Sequence, residues 1–195
     1  MVFLLAGCMH PLYENARIPE KGKVSMGGGV GYADWLYPGT LFDFYPDLYF
    51  KGIRADGFME YSPAKWLALS LRGYCLTTPP GSDRLGGGTV GIKWVPFRRD
   101  SSAFALKIEA GYPVIFPMCY ALFDIKNKVT LYFPFGFGSG GIWLGIGCTI
   151  PFGNIKESSF IKYITISYGF SSRPTIPAGA IYHETNIGVG VRWIK

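Results

Sequence analysis

The sequence predicts an all-β fold, an antiparallel up-and-down transmembrane β-barrel of about ten strands, with eight as the alternative count. Three observations carry that expectation. From Lys23 onward, segments of about ten residues alternate apolar with small or polar positions between turn clusters, which is the pattern of a barrel strand crossing a bilayer. Only 16% of the 195 residues are charged while 17% are aromatic and 27 are glycine, a balance foreign to disordered chains and unusual for water-soluble enzymes. No apolar run reaches the roughly 18 residues of a membrane helix, and a closed barrel is the other structure whose backbone can cross lipid with every polar group satisfied.

The first strand is expected from Lys23 through the glycine run Gly27-Gly28-Gly29-Val30-Gly31. In the second, Ile53, Ala55, Gly57, Met59 and Tyr61 share one face, and Arg54, Asp56 and Glu60 the other. The third places Leu67, Leu69, Leu71, Gly73 and Cys75 opposite Ala68, Ser70, Arg72 and Tyr74. Next, Val90, Ile92 and Trp94 oppose Thr89, Gly91 and Lys93, and Phe104, Leu106, Ile108 and Ala110 oppose Ala105, Lys107 and Glu109. Later rows run Val129-Leu131-Phe133, Ile142-Leu144-Ile146-Cys148, Ile164-Ile166-Tyr168 and Ile187-Val189-Val191-Trp193. These make nine strands, and single-chain bacterial barrels have an even number. Val114 to Asp124, apolar and interrupted by Pro117, is the natural tenth.

With ten strands the connections sort by length. Ser62 to Lys65, Pro96 to Ser101, Asp124 to Lys128 and Pro151 to Ser158 become short turns at one end. Tyr37 to Pro46, Thr77 to Leu85 and Ser171 to Glu184 become longer loops at the other. Trp66, Trp94, Phe97 and Trp193 then ring the turn end, and Trp35, Tyr37, Tyr112, Phe170 and Tyr182 the loop end. Two aromatic girdles suit the two headgroup layers of a membrane.

Facing the apolar rows are mostly Gly, Ala, Ser and Thr with occasional charges, a composition that fits a narrow interior better than a solvated surface. The expected lumen therefore holds Arg54, Arg72, Lys93, Lys107 and Arg192 with Asp56, Glu60 and Glu109. Confined charges must pair, so a salt-bridge network filling the lumen is the favoured reading. A narrow, mildly anion-favouring pore is the sharper alternative, because cations exceed anions. Gly29, Gly31, Gly145, Gly147, Gly188 and Gly190 would make room for the long side chains.

Other chemistry finds little support. The net charge of +6 is scattered and forms no basic face for nucleic acid. The runs at Gly27 to Gly31 and Gly86 to Gly91 lack the Lys and Ser or Thr of a phosphate-binding loop, and strands continue through them. Cys75, Cys119 and Cys148 have neither paired spacing nor histidine neighbours, so they read as small hydrophobes; neither a metal nor a cofactor is expected.

Leu4-Leu5-Ala6-Gly7-Cys8 resembles the lipobox of bacterial lipoproteins. That resemblance implies a diacylglycerol on the Cys8 sulfur and cleavage before it, and the shortness of the run predicts a translation start further upstream. Residues 1–22 are then a signal remnant followed by a polar tether, and 23–195 one barrel domain. The whole pattern resembles a small bacterial outer-membrane barrel. The resemblance implies membrane lipids and the barrel-assembly machinery as partners, with Trp193 standing near the end of the last strand as the aromatic signal. It also implies an outer-membrane location with the lipid-anchored N-terminus on the periplasmic side.

The favoured function is a non-enzymatic structural or surface element, with an unidentified ligand at the outer loops conceivable. Two alternatives stay open. His183-Glu184-Thr185-Asn186 resembles the rim sites of outer-membrane lipid A deacylases and acyltransferases, although neighbouring residues on a strand face opposite ways and a solvated loop histidine is the simpler reading. The other is a lipid-tethered periplasmic carrier with its apolar face turned inward.

Overall fold

In a computed structural model the chain forms a closed antiparallel barrel of ten strands. The structure describes residues 14–37, 48–77, 85–112, 118–126, 128–138, 141–152, 160–172 and 181–194. The strands are β1 (Val24–Tyr37), β2 (Leu48–Ala64), β3 (Leu67–Thr77), β4 (Leu85–Arg98), β5 (Ser102–Tyr112), β6 (Met118–Ile125), β7 (Val129–Gly138), β8 (Gly141–Phe152), β9 (Phe160–Ser172) and β10 (Ile181–Ile194). Each pairs with its sequence neighbours, and β1 closes the barrel against β10 through pairs such as Val30 with Val189. Closure removes the unpaired sheet edges that an open sheet would present.

The predicted tenth strand exists as β6 from Met118, and its expected start at Val114 to Pro117 lies outside the described residues. Two expected turns are tighter than the sequence suggested. β2 continues through Pro63 to Ala64, leaving Lys65 and Trp66 as the turn, and β4 continues through Pro96 to Arg98. The register shifts between Tyr61 and Ala64 and between Trp94 and Phe97. A bulge leaves a residue unpaired, so a proline there forfeits no ladder bond. Lys126, at φ 51°, turns the chain between β6 and β7.

Alternation decides the two faces. Ile53, Val90 and Ile92 expose 61%, 62% and 53% of their surface on the outside, while Arg54, Lys93, Lys107 and Arg192 are buried within. A water-soluble carrier needs the reverse, an apolar interior and a polar outer wall. Trp66, Trp94, Phe97 and Trp193 are exposed outward at the end carrying the short turns, and Phe104, Phe123 and Phe133 form a ring ladder with centroids 4.7 and 5.9 Å apart. The side chains of Trp35, Tyr37, Tyr112, Phe170 and Tyr182 lie outside the described residues, as do the connections 38–47, 78–84 and 173–180.

Residues 14–22 depart from a simple tether. Glu14 to Ile18 turn into the barrel from the short-turn end, with Glu14, Ala16 and Ile18 buried. The segment is tied at the rim where the Gly22 amide donates to Ser62 O at 2.7 Å and the Ser62 amide to Lys23 O at 3.1 Å.

Candidate functional site

Among the described residues, the lumen is where the fold gathers chemistry-bearing side chains from many strands. Period-two alternation on β2 to β5 and β10 turns Arg54, Asp56, Glu60, Arg72, Lys93, Lys107, Glu109 and Arg192 inward together. Stripping an ion of water costs several kcal/mol, so a stable arrangement needs each charge matched by a partner.

Arg54 and Asp56, two positions apart on the inner face of β2, form a bidentate pair at 2.9 and 3.0 Å, and the guanidinium lies 4.7 Å from the Tyr74 ring centre. Lys107 Nζ lies 2.6 Å from Glu109 Oε1, and Arg72 Nε 3.7 Å from the same oxygen. On the opposite flank Glu60 joins Lys93 at 2.6 Å to Arg192 at 2.7 Å.

The two flanks meet at Glu14. Arg72 Nη2 donates to its Oε1 at 2.8 Å and Lys93 Nζ to its Oε2 at 2.5 Å, while Lys107 Nζ also reaches Oε1. Three cations from three adjacent strands thus converge on a carboxylate that no strand supplies. Asn15 extends the junction: its side-chain oxygen accepts from Arg192 Nη1 at 2.7 Å and its carbonyl from Lys93 Nζ at 3.0 Å. Arg192 Nη2 also donates to Ser25 Oγ at 3.1 Å.

Toward the short-turn end the segment is held by a second acid. The Ala16 amide donates to Asp124 Oδ1 at 2.9 Å, as does Thr130 Oγ1 at 2.6 Å. Arg17 Nε lies 3.5 Å from Asp124 Oδ2, and its Nη2 donates to the carbonyls of Arg99 and Asp100 at 2.7 and 2.9 Å. Partial burial lowers the Arg17 guanidinium from its ordinary value and Asp124 opposes that shift. A cavity of about 30 Å³ beside Asn15, Asp124 and Tyr163 has room for a water or two.

The remaining wall, on β6 to β9, is neutral apart from Asp124 at its short-turn end. Tyr120, Leu122, Tyr132 and Tyr163 fill it, with Thr130, Thr149, Thr165 and Ser167 between them. Tyr132 crosses its neighbour Gly147 in register, and a methyl group at Gly147 would lie 2.1 Å from the ring. The Tyr132 hydroxyl is 3.1 Å from Thr165 Oγ1.

All eight lumen charges named from the sequence lie inside and in contact with an opposite charge. Glu14, Asn15, Arg17 and Asp124 were missed. One signal was available: five cations facing three acids leave the wall short of acids, and the structure supplies Asp124 from β6 and Glu14 from outside the strands. His183 lies within β10, in register with Leu36 and Phe170, and is not in a loop; its side chain, like all of Cys8, lies outside the described residues. Cys75, Cys119 and Cys148 are free thiols. Among the described residues no group of His, Cys, Asp and Glu could hold a metal ion.

No family model matches the chain, and no curated protein matches it in sequence. Solved structures do. The fold is similar to the outer membrane protease OmpT from Escherichia coli, with a TM-score of 0.54 at 7% identity over 89% of this chain and 97% of that one. Neisserial surface protein A aligns over 87% of this chain and 96% of its own, with a TM-score of 0.45 and 11% identity. Ail, the attachment invasion locus protein of Yersinia pestis, aligns over 90% and 99%, at 0.41 and 12%. At such identities the likeness is one of fold, and that fold is the β-barrel found in bacterial outer-membrane proteins.

Proposed function

We propose that this chain is a non-enzymatic bacterial outer-membrane barrel, a structural or surface element whose charged lumen is closed by its own N-terminal segment. The observation that carries the reading is the Glu14 junction, which ties the N-terminal segment to the adjacent strands β3, β4 and β5 inside the barrel. Outward rows of Leu, Ile and Val supply the lipid-facing surface, and the tryptophans at the short-turn end match an interfacial girdle. That end faces the periplasm in this reading, where the assembly machinery would engage Trp193 and lipid on Cys8 would serve as a second anchor.

A lumen filled by paired charges resists ion flow, because each passing ion must displace a partner already bound. The test is the full-length protein in a planar bilayer. It should insert and leave the membrane without steady current, while showing heat-dependent gel mobility. Sustained current with every insertion would overturn the closed lumen. A Cys8→Ser variant should stay with the outer membrane; its release to the periplasm would overturn the integral-barrel reading.

A further inference from the structure

We propose that the cationic seat formed by Arg72, Lys93 and Lys107 is a binding site for small carboxylates, which Glu14 occupies as the chain's own ligand. The proposal rests on the closed-lumen reading and names what the lumen recognises. Each of the three cations already has an acid on the barrel wall: Glu109 for Arg72 and Lys107, and Glu60 for Lys93. The buried strand charges Arg54, Arg72, Lys93, Lys107 and Arg192 against Asp56, Glu60, Glu109 and Asp124 leave one positive charge in excess. Glu14 cancels it and, unlike these groups, is not fixed on a strand.

The seat is shaped for a carboxylate. Arg72 and Lys107 reach one oxygen of the group and Lys93 the other, so both oxygens are engaged from different directions. Polar groups without a hydrogen-bond partner line the same wall. Thr89 Oγ1, on the residue paired with Arg72, and the Tyr120 hydroxyl, on the residue paired with Lys107, are both buried and unpartnered. A solute larger than a bare carboxylate would find these hydroxyls beside the seat.

What holds Glu14 there is reversible. Its segment contributes three buried apolar side chains, Ala16, Ile18 and Pro19, and is otherwise fastened by hydrogen bonds and ion pairs to Asp124, Arg99, Asp100 and Arg192. A carboxylate solute competing for the cations replaces the central one of those ties. Release of Glu14 and occupation of the seat are then one exchange, in which one carboxylate replaces another.

The experiment is rescue of Glu14→Ala by acetate, which restores the atoms that the substitution removes. The full-length variant, folded in detergent, is melted in acetate and in chloride at equal ionic strength. Acetate at ten times its dissociation constant should raise the midpoint by about 3–6 °C over chloride, as binding only to the folded state requires. In the wild type acetate competes with the tethered Glu14, so its gain over chloride should be much smaller than that of Glu14→Ala, and Glu14→Gln, which fills the seat without charge, should likewise gain much less. If Glu14→Ala folds only when acetate is present, the refolding yield carries the same result. Equal midpoints in the two salts, or failure to fold in either, would overturn the proposal by making Glu14 a structural tie alone. Wild-type conductance reads the closed lumen independently, so the two failures are distinguishable.

Discussion

The two walls of the lumen solve one packing problem differently. On β2 to β5 and β10 the interior is filled by long charged chains, each held by one or more opposite charges. On β6 to β9, Asp124 at the short-turn end aside, it is filled by Tyr120, Leu122, Tyr132 and Tyr163 over small neighbours. The charged wall is a connected network, in which losing one member leaves another ion buried without compensation. The neutral wall depends on shape, and its failures should be local.

The largest effect is therefore expected on the charged wall. Glu60→Gln removes the acid shared by Lys93 and Arg192 and should cost about 3 kcal/mol or more, read as a lowered urea midpoint of the barrel folded in lipid vesicles. A cost below about 1 kcal/mol would mean that the two walls do not differ in kind. On the neutral wall, Gly147→Ala drives a methyl into the Tyr132 ring and should cost about 1–3 kcal/mol in the same assay, since overpacking is relieved only by moving the ring. The smallest effect belongs to the rim. Lys23 and Glu20 pair at 3.4 Å in open solvent, so Lys23→Ala should shift the midpoint by under about 1 kcal/mol. A loss there as large as that of Glu60→Gln would show that burial is not what makes the inner pairs matter.

Much of this contrast could be read from residues in order along the chain. Alternation alone assigned Arg54, Arg72, Lys93, Lys107 and Arg192 to one face and Ile53, Leu71, Val90 and Ile108 to the other, because a strand repeats every two residues. Strand ends were less legible: Pro63 and Pro96 look like turn residues until the bulges that accommodate them are known. The packing of Tyr132 over Gly147 depends on the register of β7 against β8, which is a property of the pair of strands and of neither alone. Glu14 was the least legible. Its partners are 58, 79 and 93 positions away, and a lone acid in a polar stretch has no periodicity to mark it as interior. Only the charge imbalance of the wall pointed to a missing acid.

The central claim is that Glu14 lies among Arg72, Lys93 and Lys107 inside the barrel. The most direct measurement is proton NMR of the full-length chain in lipid nanodiscs, with labels on glutamate and lysine. Nuclear Overhauser contacts between the Glu14 side chain and the terminal methylenes of Lys93 and Lys107 are the expected result. Random-coil shifts for Glu14 to Ile18, with no contact to either lysine, would contradict it.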